Sequence, residues 1–295
     1  MAESTPVGPR GADLSKPSAA RMYDWYLGGS TNYAIDREFG KQILDVFPIV
    51  KPVALANRLL LQRVVRHLAE RGVRQFVDLG SGVPTVGNVH QIADEIDAGS
   101  RVVYTDNEPV AIAHSELLLD QHGDPQRHAV VNVDLRDPDE VWRQVKRTGV
   151  IDTSQPVGLL MIAVLHFVHD EVDEIMQRYR EHLPEGSHLA ISHATKDGLG
   201  AGRAAEVDDL VGMYERTTNP LRLRDHAEVR SLFGDFELLD PGVVWAPEWH
   251  AEEQATGFRA PEFDHPSDSI VVGGLARKVQ GRRSGGGFPA MRRES

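Results

Sequence analysis

The spacing of apolar residues along the chain changes once, near residue 75. Before that point the spacing is helical. Ser15 or Ser18 can cap a first helix, which Gly28 and Gly29 end. Ile35, Phe39, Ile43 and Phe47 recur every fourth residue, on one face of a second helix that Pro48 stops. A third helix is predicted from near Pro52 to Gly72, with Val53, Leu60, Val64 and Leu68 on its apolar side.

From Gln75 onward, short apolar runs alternate with longer helical stretches. The runs cover residues 75–79, 101–105, 128–133, 157–163 and 188–192, and helices are predicted over 86–96, 110–121, 138–147 and 171–183. Strands that alternate with helices imply a parallel sheet covered on both faces. Two more helices are predicted, over 202–216 and from Asp225 to Gly234, the second opened by Asp225 and Glu228 at capping-box spacing. Two late strands, near 236–240 and 269–278, are expected to pair antiparallel through a long connection. No internal repeat interrupts this order.

Composition narrows the class. Of 295 residues, 44 are Asp or Glu and 32 are Lys or Arg, a net charge of -12. Such a chain is a poor general ligand for nucleic acid or anionic membrane, which both need cations. It has no cysteine, which excludes disulfides, thiolate metal sites and a cysteine nucleophile, and fits a cytoplasmic location. The most apolar run, 156–168, falls short of the about 20 residues a membrane span needs, and the polar N-terminus lacks the core of a secretory signal. Residues 1–16 and 280–295 read as disordered tails, the second basic through Arg282, Arg283, Arg292 and Arg293.

The candidate chemistry sits at the ends of the first three strands. Phe76-Val77-Asp78-Leu79-Gly80-Ser81-Gly82 is a strand that runs into a glycine turn, where backbone can approach a ligand closely. Asp106 ends the next strand, placed to accept from ribose hydroxyls, with Asn107 beside the adenine. Asp134 ends the third, suited to an adenine amino group, and Asp137 is the better placed cap for the following helix. A nicotinamide dinucleotide fold prefers a third glycine, which Gly80-Ser81-Gly82-Val83-Pro84-Thr85 lacks. Asp78 would repel pyrophosphate and attract an ammonium. S-adenosylmethionine has that ammonium, a sulfonium, a ribose and an adenine, and no phosphate. Asp78 can also shape the turn by accepting backbone N–H groups.

At this point the chain resembles the bacterial S-adenosyl methyltransferase family long catalogued only as a domain of unknown function. The resemblance spans about residues 17–279. It rests on Pro17-Ser18-Ala19-Ala20-Arg21-Met22-Tyr23-Asp24-Trp25-Tyr26-Leu27-Gly28-Gly29, on Asn32-Tyr33-Ala34-Ile35-Asp36-Arg37, and on Asp78 through Thr85 with Asn88 and His90. It continues through Tyr104-Thr105-Asp106-Asn107-Glu108-Pro109, Asp134-Leu135-Arg136-Asp137-Pro138, Ala163-Val164-Leu165-His166-Phe167 and Pro241-Gly242-Val243-Val244. Ser81 stands where threonine is common, a neutral departure. The resemblance implies a Rossmann-like class I methyltransferase, an α/β fold with a seven-stranded, mostly parallel sheet. An N-terminal helical cap is expected over 17–57 and the cofactor-binding core over 58–279.

The cofactor site is then expected to draw on Asp78, Gly80, Ser81, Gly82, Asp106, Asn107, Asp134, Leu135 and Ala163, with Arg21, Tyr23, Asn32 and Tyr33 from the cap. The cap has two readings. It is a helix packed on the sheet edge by its aromatics, or a lid hinged at Gly28 and Gly29, with Arg21 or Asn32 on the cofactor carboxylate. His166, after the fourth strand, is a candidate general base or a pocket wall; Ser192 and His193 are expected to face the same crevice. His166 and His169 have i, i+3 spacing but no third ligand, so no metal is assigned. The expected reaction is in-line methyl transfer from S-adenosylmethionine to a small-molecule acceptor, without nucleic-acid or membrane partners. Rival readings are a cofactor-binding regulatory protein without turnover and, more remotely, an NAD-dependent oxidoreductase.

Overall fold

The computed structural model describes residues 8–253 and 258–279; residues 1–7 and the basic tail expected over 280–295 lie outside the described residues. Three helices come first, α1 (Ala19–Tyr26), α2 (Ala34–Val46) and α3 (Val50–Glu70). Strands and helices then alternate: β1 (Gln75–Leu79), α4 (Val89–Ile96), β2 (Arg101–Asp106), α5 (Pro109–His122), β3 (His128–Asn132), α6 (Pro138–Thr148), β4 (Gly158–Ile162), α7 (Val172–His182) and β5 (His188–Ala194). The chain closes with α8 (Ala201–Tyr214), α9 (His226–Ser231), β6 (Glu237–Leu238), β7 (Val244–Trp245) and β8 (Val271–Arg277).

The sheet runs β3-β2-β1-β4-β5-β8-β6, with β7 also paired to β8. The first five strands are parallel neighbours and β8 enters antiparallel to β5. The seven-stranded expectation differs by one short strand. β6 pairs with β8 at Arg277 and Ala276, and β7 pairs with it at Gly273 and Val272. They are two pieces along one edge of β8, parted by the Asp240-Pro241-Gly242 turn, where proline has no N–H for a ladder. The sequence reading found β6 and β8 and missed β7, whose two residues are too few for a periodic signal.

Alternation along the buried strands builds two cores. Phe76, Val102, Tyr104, Leu160, Ala190 and Leu275 face one layer, which also holds Met22, Ile43, Phe47 and Leu60 from the first three helices. Val77, Leu79, Val103, Leu159, Met161 and Ile191 face the other, with Trp142, Met176 and Tyr179. The N-terminal helices therefore share the main core. α3 runs unbroken through residues 57 and 58, where the cap was expected to end.

Residues 8–16, expected as part of a free tail, are docked in part. The backbone carbonyls of Asp13 and Lys16 accept from Arg21 Nη2 at 3.3 and 2.8 Å. No helix among the described residues is long and apolar enough to cross a membrane.

Candidate functional site

The C-terminal ends of β1 to β4 open into a cavity of about 900 Å³. Asp78, Gly80, Ser81, Gly82, Asp106, Asn107, Asp134, Leu135, Ala163 and His166 all line it. Parallel strands deliver this convergence because every one of them ends on the same edge.

The glycine turn is shaped by its neighbours. Gly80 has φ +64°, and a Cβ there would sit 2.2 Å from Val164 Cγ2. Gly82 has φ +65° with nothing within 4 Å of where a Cβ would stand, so its face is open. Two of the turn's amides are already used: Ser81 N–H donates to the Thr105 carbonyl at 3.0 Å and Gly82 N–H to Asp106 Oδ2 at 2.7 Å. The next helix starts only at Val89, three residues later than predicted. With the Ser81 and Gly82 amides committed and the helix N-terminus displaced to Val89, the turn lacks the usual pyrophosphate cradle.

Asp106 is fixed by backbone. Its Oδ1 accepts from Asn107 and Glu108 N–H, both at 2.8 Å, and Oδ2 from Gly82. Burial raises its pKa, and these backbone bonds oppose the shift. It does not cap α5. Glu108 does, accepting from Ala111 N–H at 2.8 Å. Asp134 is only part-buried and is gripped by Arg136, whose Nε lies 3.0 Å from both carboxylate oxygens. That guanidinium holds its pKa low. Asp137 caps α6 through Glu140 N–H, as its spacing suggested.

Asp78 is the anomaly. It is 5% exposed and accepts no hydrogen bond from any described residue, so it does not shape the turn in that way. Burial pushes its carboxyl up to about 7, with nearby Asp106 adding to the rise and Arg58 opposing it. Arg58 was missed from sequence. It projects from α3, with Nε on the Val86 carbonyl at 3.1 Å and Nη2 on the Gly87 carbonyl and Asn88 Oδ1 at 3.0 and 3.1 Å. Its Nη1 has no partner among the described residues, and the side chain lines the cavity with Asp78. The available signal was polar: Asn57, Arg58, Gln62 and Arg63 interrupt a helix that is otherwise largely apolar, and all four are buried.

A satisfied polar chain supports the wall opposite. Ala163, at φ +55°, donates its N–H to Ser192 Oγ at 2.8 Å, and Ser192 Oγ donates to Asn57 Oδ1 at 2.6 Å. Asn57 Nδ2 donates to the Tyr23 hydroxyl, which donates to the Ala54 carbonyl, both at 3.0 Å. Ser192 thus positions Ala163 from behind. His193 is fully buried, bonded to the Ala194 carbonyl and to Arg224, and neither Ser192 nor His193 lines the cavity.

His166 reaches the cavity as a donor rather than a base. The Ala194 N–H donates to its Nδ1 at 3.4 Å, which places the proton of the neutral ring on Nε2. Burial, with His193 and Arg224 nearby, holds its pKa well below the usual imidazole range. His169 is 2.9 Å from the Pro220 carbonyl through Nε2, so it is tied to backbone rather than paired with His166 on a metal.

Of the cap residues expected at the site, Arg21 and Tyr23 line the cavity, and Asn32 and Tyr33 do not. Arg21 is almost fully buried, with Nε on Asp36 Oδ2 and Nη1 on Glu108 Oε1, both at 2.8 Å. Its donors are committed to clasping α1 and α2 to the start of α5, leaving little for a cofactor carboxylate. Asn32 donates to Asp24 Oδ2 at 2.7 Å and to the Gly29 carbonyl at 3.0 Å, which pins the glycine turn expected to hinge. Tyr33 lies under the Arg21 guanidinium, 5.6 Å from ring centroid to Cζ, and is outside the cavity wall. Of the cap aromatics, Tyr23 and Tyr26 line the cavity; Trp25 instead carries Lys51 over its ring at 4.3 Å.

Comparison with known proteins points one way. A family model described as S-adenosyl methyltransferase matches residues 7–279. A crystal structure described as a candidate methyltransferase from Thermobifida fusca YX is 33% identical, covers 94% of this chain and 100% of its own, and superposes with TM-score 0.81. A DUF574 family protein from Streptomyces avermitilis MA-4680 is 36% identical over 90% of this chain and 99% of its own, also at TM-score 0.81. An O-methyltransferase family protein from Burkholderia thailandensis shares the fold at 12% identity, covering 83% of this chain and 71% of its own, with TM-score 0.50. No curated protein matches the chain.

Proposed function

The chain belongs to the S-adenosyl methyltransferase family, and from that premise we propose that it methylates a small molecule, with Asp78, Arg58, Asp106 and Asp134 holding the cofactor. The fold is that of a class I S-adenosylmethionine-dependent methyltransferase, and the chain is such an enzyme. The observation that carries the site assignment is the pair Asp78 and Arg58. A buried carboxylate without a donor stands beside a guanidinium with a free Nη1, which suits the ammonium and carboxylate of one α-amino acid.

The open face of Gly82 leaves room for the ribose beside Asp106. Leu135 and Asn107 border the adenine side, near Asp134. When bound, S-adenosylmethionine supplies an electrophilic methyl on a sulfonium. The protein's part is alignment and exclusion of water. Tyr26, Phe47, Val53, Phe167, Leu210 and Tyr214 give the rest of the cavity apolar walls, which favour a small organic acceptor. His166 Nε2–H can orient an acceptor oxygen or nitrogen. It does not take a proton in this tautomer, so this reading favours an acceptor that is deprotonated before transfer.

The net charge of -12 supports excluding nucleic acid and anionic membrane as partners, and the absence of cysteine supports a cytoplasmic location. Calorimetry with S-adenosylmethionine and its demethylated product tests the cofactor site. A labelled-methyl screen against small-molecule extracts tests the acceptor class; label recovered only in protein or nucleic acid would overturn it. Asp134→Asn is expected to weaken cofactor binding on the order of 2- to 10-fold, the worth of one partly exposed hydrogen bond. An unchanged affinity removes Asp134 from the adenine pocket.

A further inference from the structure

The last turn of α3 carries a second cluster, and none of its members lines the cavity. His67 meets His250 and Glu253 from the connection after β7; one ligand atom from each lies within 4.8 Å of the others. His67 Nδ1 is 2.7 Å from Glu253 Oε1, and the two imidazole centroids are 4.7 Å apart. Glu253 Oε2 is buried without a hydrogen-bond partner among the described residues. Arg63, one turn earlier on α3, anchors the same connection through the carbonyls of Trp249 and Ala246 at 2.8 and 2.6 Å.

The hydrogen bonds of His250 fix its tautomer. Nε2 lies 3.1 Å from the Asp240 carbonyl, which can only accept, so Nε2 carries a proton. In the neutral ring Nδ1 then bears the lone pair. It faces Glu252 Oε1 at 2.9 Å and Glu253 Oε1 at 3.9 Å. A bare lone pair aimed at two carboxylates is repulsive, so Nδ1 carries either a second proton or a metal ion. His250 also holds φ +43°, an uncommon conformation for a residue other than glycine. A histidine that donates one nitrogen to a backbone carbonyl and turns the other toward a carboxylate and a second imidazole has the buttressing of a metal ligand.

We propose that His67, His250 and Glu253 bind a divalent transition metal, zinc by the nature of the donors. Two imidazole nitrogens and one carboxylate oxygen make a three-ligand set, with a fourth position open to water or to Glu252. Zinc requires the His67–Glu253 pair to part by about 0.5 Å, since the donors of a tetrahedral ion sit farther apart than a hydrogen bond. The ion staples the connection after β7 to α3, the helix that carries Asn57 and Arg58 to the cavity.

The test uses the full chain, stripped with a chelator and titrated with zinc at pH 7.5. One zinc per chain is expected, with a dissociation constant at or below about 1 μM. Cobalt(II) in its place is expected to give the intense visible absorption of a tetrahedral site. His250→Ala and Glu253→Gln, both at the rim of the cluster, are each expected to weaken zinc binding at least about 30-fold. Zinc is expected to raise the melting temperature of the wild type and of neither variant, while both variants fold without metal and bind S-adenosylmethionine as the wild type does. No stoichiometric binding, or binding equal in wild type and variants, overturns the proposal. The cluster is then a protonated histidine among carboxylates.

Discussion

Asp106→Ala is expected to weaken S-adenosylmethionine binding on the order of 100-fold or more, measured by calorimetry. With three acceptor sites taken by backbone, one charge-assisted hydrogen bond to a ribose hydroxyl remains, worth up to about 3 kcal/mol, which is that factor in affinity. The structure adds a second loss. The carboxylate also receives the N–H groups of Gly82, Asn107 and Glu108, so its removal releases the turn that shapes the site. Asp106→Asn separates the two effects. The amide keeps one acceptor oxygen and is expected to fall between wild type and alanine. Wild-type affinity in Asp106→Ala, with the fold intact by circular dichroism, would show that the ribose sits elsewhere and would sink the strand-end assignment.

Asp78→Asn is expected to stabilise the cofactor-free protein at pH 8 while weakening S-adenosylmethionine binding by at least about tenfold. The carboxyl titrates near 7 when folded and at its ordinary 3.8 when exposed. Between those values the folded state holds the extra proton, so wild-type stability falls as pH rises from about 4 through 7. A shift of this size corresponds to roughly 4 kcal/mol as an upper bound. The variant therefore gains nothing near pH 4 and most above pH 7. Cofactor affinity runs the other way. The ammonium favours ionised Asp78, so wild-type binding tightens as pH rises toward 7 and levels off above it, and the variant lacks this dependence. Parallel melting profiles for the two proteins from pH 4 to 8 would mean that Asp78 is not held protonated by burial.

The two effects share a cause. A carboxylate kept dry and unpaired costs stability, and the cost is recovered only by a cationic ligand. The Arg21–Asp36–Glu108 clasp is built in the opposite way, with its charges matched inside the protein. Arg21 and Tyr23 lie two residues apart and both border the cavity, yet only Arg21 has its charge matched by carboxylates inside the protein. Their side-chain types gave no means of telling them apart.

Much of the fold was written in local order. Apolar alternation marks β1 to β5, fourfold spacing marks α2, and the glycine turn after β1 follows from Gly80 and Gly82. Parallel strands must end on one edge, so Asp78, Asp106 and Asp134 were bound to converge once those strands were recognised. These features depend on neighbours within a few residues or on a rule common to all such sheets. Arg58 beside Asp78, the donor tautomer of His166 and the meeting of His67 with Glu253 depend on how separate elements pack together. The partners lie far apart along the chain, and a hydrogen bond of about 3 Å is settled only when packing brings both ends to one place.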